Sequence, residues 1–232
     1  MQEKRGPQRE ACIIMEVKIL HKDEETIQFI IKGINATIAN TIRRTIITEV
    51  PILAVDEVDF LKNDSALYDE IIAHRIGLIP LKTDLQSYEV KEECTCKGKG
   101  CAKCQLYLSL KIKGPAIVYA SDIQSQDPKV KPVFEKMPIT ILIAGQKLEF
   151  EAVAKLGRGK EHSKFVPGIA YYTEDKEGII FTIETFGQLR PEEIFNEALN
   201  ILDKRMDEFD KKIRDSKTGK ITKIRKKIKI RK

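Results

Sequence analysis

The sequence predicts an α+β protein with one domain built from both ends of the chain and a mixed α/β domain inserted between them. Two observations predict this arrangement. Each end of the chain holds two short segments in which apolar and polar residues alternate, typical of a β-hairpin, followed by one amphipathic helical segment. The block between the ends differs in character, with further short strands and four clustered cysteines, as expected of an inserted domain.

The two predicted hairpins show the period of two that places alternate side chains on one face of a sheet. In the first hairpin the alternation covers residues 15–19 and 27–31, with a polar turn between them. In the second it covers residues 170–173 and 179–185, again around a polar turn. The two ends of the chain are therefore expected to repeat the same order, a hairpin and then a helix.

The first predicted helix carries isoleucines at every fourth position, which keeps them on one face. Ile and Thr are β-branched and weaken a helix, so burial of the isoleucine row must stabilise it. Pro51 ends the element. The row consists of Ile38, Ile42 and Ile46, whereas Asn40, Arg43 and Arg44 fall outside it. An arginine pair of this kind is usually the solvated edge of a surface helix.

The final predicted helix begins at Pro191, with acidic residues in its first turn that favour the positive end of the helix dipole. Its apolar stripe is longer than one hairpin can cover. We expect the inner half to pack on its own sheet and the outer half to contact another chain, because monomers rarely expose such stripes. The stripe comprises Ile194, Phe195, Ala198, Leu199, Leu202, Met206, Phe209 and Ile213.

The block between the ends is expected to start with a second helix over residues 67–76, capped by Asp64 or Ser65 and stopped by Gly77. Strands are predicted at residues 106–112, 139–143 and 148–154. The expected domains are a discontinuous one formed by residues 12–53 and 165–213, an inserted one formed by residues 54–164, and a basic tail at residues 214–232.

Four cysteines lie within eleven residues in the pattern C-x-C-x4-C-x2-C: Cys94, Cys96, Cys101 and Cys104. Two closely spaced pairs in a glycine-containing loop can place four thiolates around one tetrahedral zinc ion. Such a site is structural, because four protein ligands leave no position for water. The alternatives are two disulfides, which a reducing cytosol disfavours, an iron–sulfur cluster, whose usual cysteine spacing is absent, and four unrelated cysteines.

The net charge of +6 belongs to one end of the chain. Residues 211–232 hold twelve Lys or Arg against one Asp, which leaves the remaining chain negatively charged. We expect this tail to be solvated and disordered, although contact with nucleic acid or with an acidic neighbour stays open. The folded part is not expected to bind nucleic acid directly.

No motif for catalysis is present, and the three histidines lie far apart in sequence. The acidic residues Asp56, Glu57 and Asp59 are expected to form a solvated face. No apolar run approaches the ~20 residues of a membrane span, and the first residues are too polar for a signal peptide, so a cytoplasmic location and no membrane contact are expected.

Three ordered segments resemble the α-like subunits of cellular RNA polymerases. They are NATIANTIRRTIITEVPILAVDEV from residue 35, LYDEIIAHRIGLIPL from residue 67, and GKEHSKFVPGIAYY from residue 159. The resemblance is strongest to the archaeal member of this family, the D subunit, which is kin to the eukaryotic third-largest subunit and the bacterial α N-terminal domain. It extends to the helix after Pro191 and so covers nearly the whole chain.

The resemblance implies a non-catalytic assembly subunit of DNA-directed RNA polymerase. The two-ended domain would be a dimerisation domain that pairs with the smaller α-like subunit L. The pair would carry the small subunits N and P and the second-largest catalytic subunit, with DNA reached only through the complex. Residues expected at subunit contacts are Ile38, Asn40, Ile42, Arg43, Arg44, Phe195, Leu199, Leu202, Met206 and Phe209.

Related subunits carry a comparable cysteine loop, which the resemblance extends to a zinc site here. Some archaeal members of the family also carry a ferredoxin-like iron–sulfur insertion. No cysteine follows Cys104, so we expect no such cluster. The alternative function is an independent zinc-containing DNA-binding protein that uses the basic tail.

Overall fold

The structure, a computed structural model, describes the backbone of residues 15–229 and the side chains of residues 15–215. Residue 12, the expected start of the first domain, lies outside the described residues. Ten strands and three α-helices follow one another along this range: β1 (Glu16–Lys22), β2 (Thr26–Lys32), α1 (Ala36–Glu49), β3 (Pro51–Asn63), α2 (Asp69–Gly77), β4 (Leu106–Lys113), β5 (Ala116–Tyr119), β6 (Gln124–Ser125), β7 (Pro138–Leu142), β8 (Lys147–Arg158), β9 (Gly168–Asp175), β10 (Gly178–Thr185) and α3 (Pro191–Lys229).

The two hairpins join into one four-stranded antiparallel sheet in the order β1-β2-β10-β9. Its two central strands come from opposite ends of the chain, because β2 pairs with β10. Helix α1 packs on β9 and β10, α3 packs on β10 and β2, and the two helices contact each other. This arrangement confirms the predicted fold class.

Aromatic side chains occupy the middle of the core between this sheet and its helices. The rings of Phe29 and Phe181 stack with centroids 5.7 Å apart, and Phe195 of α3 meets Phe29 edge-on at 4.8 Å. Around them lie aliphatic side chains of both hairpins and of α1, so the core requires both ends of the chain.

The intervening block has a second core, formed by the sheet β3-β8-β4-β6, the ribbon β5-β7 and helix α2. The three strands expected here are present. Strand β3, which is 13 residues long, was not predicted. Its first five residues are all buried, so they show no alternation between apolar and polar types.

Strand β3 contributes to both cores. Ile52 and Ala54 pack in the first core, whereas Leu53 and Val55 pack in the second. The period of two places neighbouring residues on opposite faces, which explains this division. The expected domain boundary between residues 53 and 54 therefore falls within a continuous strand.

The predicted cap of the second helix is wrong. Helix α2 begins at Asp69, and its N-cap position is Tyr68, which makes no side-chain capping bond. The Asn63 side chain accepts hydrogen bonds from the backbone N–H and the hydroxyl of Ser65, at 3.0 and 2.7 Å. Ser65 is therefore held in a turn at the end of β3, before the helix starts.

Helix α3 is 39 residues long and includes most of the basic tail, whose backbone is helical as far as Lys229. The expectation of a disordered tail is wrong over this range. The segment is rich in Lys and Arg and contains no proline, and Lys and Arg have high helix propensity. Within residues 15–229, no helix combines the length and apolarity needed to span a membrane.

Candidate functional site

The four cysteines of the loop between α2 and β4 lie together. Their sulfur atoms are all within 4.8 Å of one another. The Sγ–Sγ distance is 3.6 Å for Cys94 and Cys101, 3.6 Å for Cys96 and Cys104, and 3.8 Å for Cys101 and Cys104. A tetrahedral zinc ion with Zn–S bonds of about 2.3 Å separates its sulfurs by about 3.8 Å, whereas a disulfide joins them at about 2.05 Å. The cluster therefore consists of free thiols and could bind a metal ion.

The backbone of the loop explains how these thiols converge. Gly98 and Gly100 have φ angles of 78° and 85°, in the left-handed region that glycine adopts without strain. The turn they form reverses the chain between the two cysteine pairs. The backbone N–H of Cys101 donates to Cys104 Sγ at 3.3 Å, an interaction that favours a thiolate. Cys94 and Cys104 are buried and the other two cysteines are partly buried.

Hydrogen bonds among the four thiols, together with burial, give Cys94 and Cys96 very different pKa values. Burial raises the pKa of Cys96, but hydrogen bonds from Cys94 and Cys104 outweigh this effect and lower the pKa to about 6. The backbone hydrogen bond from Cys96 lowers the pKa of Cys94, but burial and the neighbouring thiols raise it to about 12. Four thiolates in contact repel one another, and a divalent cation would offset that repulsion. The donor set and the sulfur spacing fit zinc.

Helix α1 carries five of the residues that were predicted to lie at contacts with other subunits. Its N-cap is Asn35, whose side chain accepts from the Ile38 N–H at 2.9 Å. Arg43 donates to Asn40 Oδ1 through Nε at 3.2 Å and Nη2 at 2.9 Å, whereas Arg44 is exposed. Asn40 thus holds the Arg43 guanidinium in a defined position on the helix surface.

Two isoleucines of α1 lie in different environments. Ile38 is 47% exposed, whereas Ile42 is 7% exposed and belongs to the core. The expectation that Ile42 lies at a subunit contact is therefore corrected: it faces the sheet of its own chain. The isoleucine row drifts around the helix by about 40° per step, which explains why its first member leaves the buried face.

The stripe on α3 divides between a buried and an exposed half. Ile194 and Ala198 are fully buried, while Phe195 and Leu202 are partly buried against the same core. Leu199, Met206 and Phe209 are exposed, the last two at 65% and 60%. Their exposure agrees with the prediction that the outer half of the helix extends beyond its own sheet.

One apolar surface was not recognised as a candidate site from the sequence. Met15, Val17 and Ile19 at β1 are 64%, 54% and 56% exposed. Their alternation with polar residues indicated a strand correctly. The alternation does not tell whether a helix covers this row, and only the placement of the helices reveals that the row is exposed.

The prediction that the acidic residues around Val58 all form a solvated face is wrong for one of them, Asp56. Asp56 forms ion pairs with Lys155 at 2.7 Å and Lys164 at 2.8 Å. Burial raises the pKa of Asp56, but the hydrogen bonds from the two lysines outweigh burial and hold the pKa below its usual value. Glu57 and Asp59 are exposed, as predicted. The Asp56 network joins β3, β8 and the segment before β9, and its role is structural.

The chain is similar to known RNA polymerase subunits. Residues 48–170 match the family described as the RNA polymerase Rpb3/RpoA insert domain. The DNA-directed RNA polymerase subunit Rpo3 of Pyrococcus furiosus is 49% identical over 162 residues, which cover 68% of this chain and 58% of that protein. The subunit of the same name from Archaeoglobus fulgidus is 44% identical over 152 residues, covering 66% of this chain and 58% of that protein.

The matched segment includes the cysteine loop, β3 and the whole of the second core. The chain spans slightly under three fifths of the length of these curated relatives. The family match covers more than half of the chain itself. The chain therefore belongs to the RNA polymerase Rpb3/RpoA insert-domain family.

Proposed function

We propose that this chain is a non-catalytic assembly subunit of DNA-directed RNA polymerase that pairs with the smaller α-like subunit L. The observation that carries the proposal is the exposed outer half of α3, where Met206 and Phe209 extend past the sheet that buries Ile194 and Ala198. Exposed aromatic and Met side chains are typical of protein interfaces. Membership of a polymerase-subunit family supports another subunit as the partner.

The pair would carry the small subunits N and P and the second-largest catalytic subunit. On α1, the Asn40–Arg43 contact presents a guanidinium in a fixed orientation, with the exposed Arg44 beside it. A guanidinium held in this way can bind a carboxylate through two parallel hydrogen bonds. We assign this edge of α1 to the contact with the large subunit, and DNA is reached only through the complex. The cytoplasmic location stays a prediction.

The cysteine loop would hold one structural zinc ion through Cys94, Cys96, Cys101 and Cys104. The ion would fix a loop that has little other regular structure, because the residues between α2 and β4 include no strand or helix. When bound, zinc would replace the repulsion among thiolates with four metal–sulfur bonds. No step of catalysis is assigned to it.

Pairing is tested by placing charges on the exposed half of α3. The double variant Met206→Asp/Phe209→Asp is co-expressed with subunit L and examined by size-exclusion chromatography with light scattering. We expect the native chain to elute as a heterodimer and the variant as separate chains, because two carboxylates would be buried without partners. Leu202 is not used for this test, since it also packs on the core of its own chain.

The matched control is Ile141→Asp/Ile143→Asp, which places the same charges on two residues of the second domain that are 63% and 65% exposed. This variant should pair as the native chain does. Unchanged pairing of the α3 variant would contradict the proposal. Tight, salt-dependent DNA binding by the purified chain, together with no binding of L, would favour the alternative of an independent DNA-binding protein.

A further inference from the structure

A cavity of about 900 Å³ lies where the two domains meet. The first domain contributes the turn between β1 and β2 and the segment between β10 and α3 to its wall, and the second domain contributes Thr83, Lys129 and Val133. Pockets for small molecules typically have volumes of about 300–1,000 Å³ and often lie at domain interfaces. The cavity is therefore large enough to hold a small organic molecule.

Gln188, in the segment between β10 and α3, is held in place between the two domains. Its backbone carbonyl accepts a hydrogen bond from the Thr83 N–H at 2.9 Å. The Thr185 hydroxyl accepts from the Gly187 N–H at 3.0 Å and donates to the Leu189 carbonyl at 2.7 Å. These bonds fix the backbone on both sides of Gln188, so its side chain starts from a defined position in the cavity wall.

The side-chain amide of Gln188 carries an unmet hydrogen-bond acceptor. Gln188 is 6% exposed and lines the cavity, yet its Oε1 atom is buried and has no hydrogen-bond partner among the described residues. A buried acceptor without a donor costs stability, and in native proteins such a group usually has a partner. The last torsion of a glutamine side chain is broad, so rotation of the amide lets Oε1 meet a donor in the cavity.

The charged side chains of the wall also leave mainly acceptors unmet. Glu24 and Glu25 of the β1–β2 turn line the cavity and form no ion pair within residues 15–215. Among the cations of the wall, Lys82 has no ion pair in this range either, and its charge offsets one of these two carboxylates. The other cations of the wall are already bound to carboxylates: Lys22 to Glu192 at 2.6 Å, Arg190 to Glu193 at 2.9 Å, and Lys129 to Asp84 at 3.6 Å.

We propose that this cavity binds a linear oligoamine, a small organic cation whose protonated amines donate to Gln188 Oε1 and pair with Glu24 and Glu25. Protonated amines carry several N–H donors and no acceptor, so they complement a wall whose unmet groups are acceptors. An anion would meet the two carboxylates, and an apolar ligand would leave Oε1 unpaired. Water would satisfy Oε1 but would leave the carboxylates without a counter-charge. The inference goes beyond the proposed function, and neither depends on the other.

The test uses spermidine as the probe and isothermal titration calorimetry of the purified chain at low ionic strength, where charge pairs are screened least. We expect saturable binding to the native chain. The Kd should rise about tenfold in Gln188→Met, which removes Oε1 and keeps a side chain of similar length. The variant Glu24→Gln/Glu25→Gln should weaken binding by about the same factor, because it removes both unpaired carboxylates.

The matched control is Glu174→Gln/Asp175→Asn, which removes two exposed carboxylates beside the β9–β10 turn. In the register of β2 and β10, Ile179 pairs with Ile31 and Glu184 with Thr26, so this turn lies at the opposite end of the sheet from Glu24 and Glu25. The control should bind spermidine within about twofold of the native chain, because these carboxylates lie outside the cavity.

Thermal unfolding gives a second measurement. Spermidine should raise the Tm of the native chain and should not change that of Gln188→Met. Without spermidine, Gln188→Met should be at least as stable as the native chain, because it removes a buried acceptor that has no partner. The exposed residues Glu24 and Glu25 provide a test that does not depend on how Gln188→Met folds.

The inference would be overturned if spermidine showed no saturable binding to the native chain. Equal affinity for the native chain, the two cavity variants and the control would also overturn it, because spermidine would then act only as a general counterion. Neither outcome would affect the proposed pairing with L, which the α3 variants test separately.

Discussion

Glu49, the last residue of α1, binds Arg205 of α3 through an ion pair of 2.7 Å. Lys160, just after β8, reaches the same carboxylate at 3.1 Å. A negative charge at the C-terminal end of a helix opposes the helix dipole, and the Glu49 side chain is only 12% exposed. Burial raises the pKa of Glu49, but the bonds from Arg205 and Lys160 lower it below its usual value. The Glu49–Arg205 ion pair therefore joins the C-terminal end of α1 to α3.

Replacing Arg205 with Met should lower the free energy of unfolding by about 1 kcal/mol, because the variant keeps the apolar stem and removes one partner of a largely buried carboxylate. The Arg205 side chain is 50% exposed, so solvent screening limits the effect. Urea unfolding followed by circular dichroism measures it. Lys111→Met, which breaks a pair whose lysine is 78% exposed, serves as control and should change stability less.

The Asp56 network predicts a loss of stability in acid. The folded-state pKa of Asp56 lies below its ordinary value of 3.8, so its ion pairs stabilise the fold fully above pH ~3.8 and progressively less as the pH falls through the folded-state pKa. The variant Asp56→Asn should be less stable than the native chain at pH 7, and the difference should shrink at low pH. Unfolding free energies measured at several pH values test this. A difference that stayed constant down to pH ~2 would contradict it.

Replacing Cys101 and Cys104 with Ser should abolish metal binding and leave pairing with L largely intact, because the ligands belong to the loop of the second domain rather than to the α3 surface. Native mass spectrometry of the purified protein measures the mass that the bound ion adds, which identifies the metal. Cys12→Ser, which removes a cysteine outside the described residues, is the control and should retain one zinc ion. Loss of pairing in the double variant would contradict the prediction that the cysteine loop is not needed for the α3 surface to bind L.

The close approach of Gly157 to Phe165 predicts a strong effect of one methyl group. A Cβ atom at Gly157 would lie 2.6 Å from carbons of the Phe165 ring, which is fully buried. Gly157→Ala should therefore lower the free energy of unfolding by about 1–3 kcal/mol. At Gly77 the nearest atom to an added Cβ is the Val55 carbonyl oxygen at 3.7 Å, so Gly77→Ala is a control expected to have little effect. Thermal unfolding compares the two variants.

Much of this fold follows from local patterns. The hairpins, α1, the start of α3 at Pro191 and the strands β4, β7 and β8 of the second domain were predicted, because each shows a regular period or a strong stop signal. Strand β3 was missed, since burial on both faces removed its alternation. Asp56 was misjudged for a related reason: its two lysine partners lie about a hundred residues away in sequence.

By itself the sequence determined the family, the candidate metal ligands and the pairing of a hairpin with a helix at each end, because each depends on residue types at short, regular spacings. Only the tertiary structure decided that the two hairpins share one sheet through β2 and β10. It also decided that Ile42 is buried while Val17 is open. Exposure depends on which helix covers which strand, and that relation joins residues too distant in the chain for a local pattern to record.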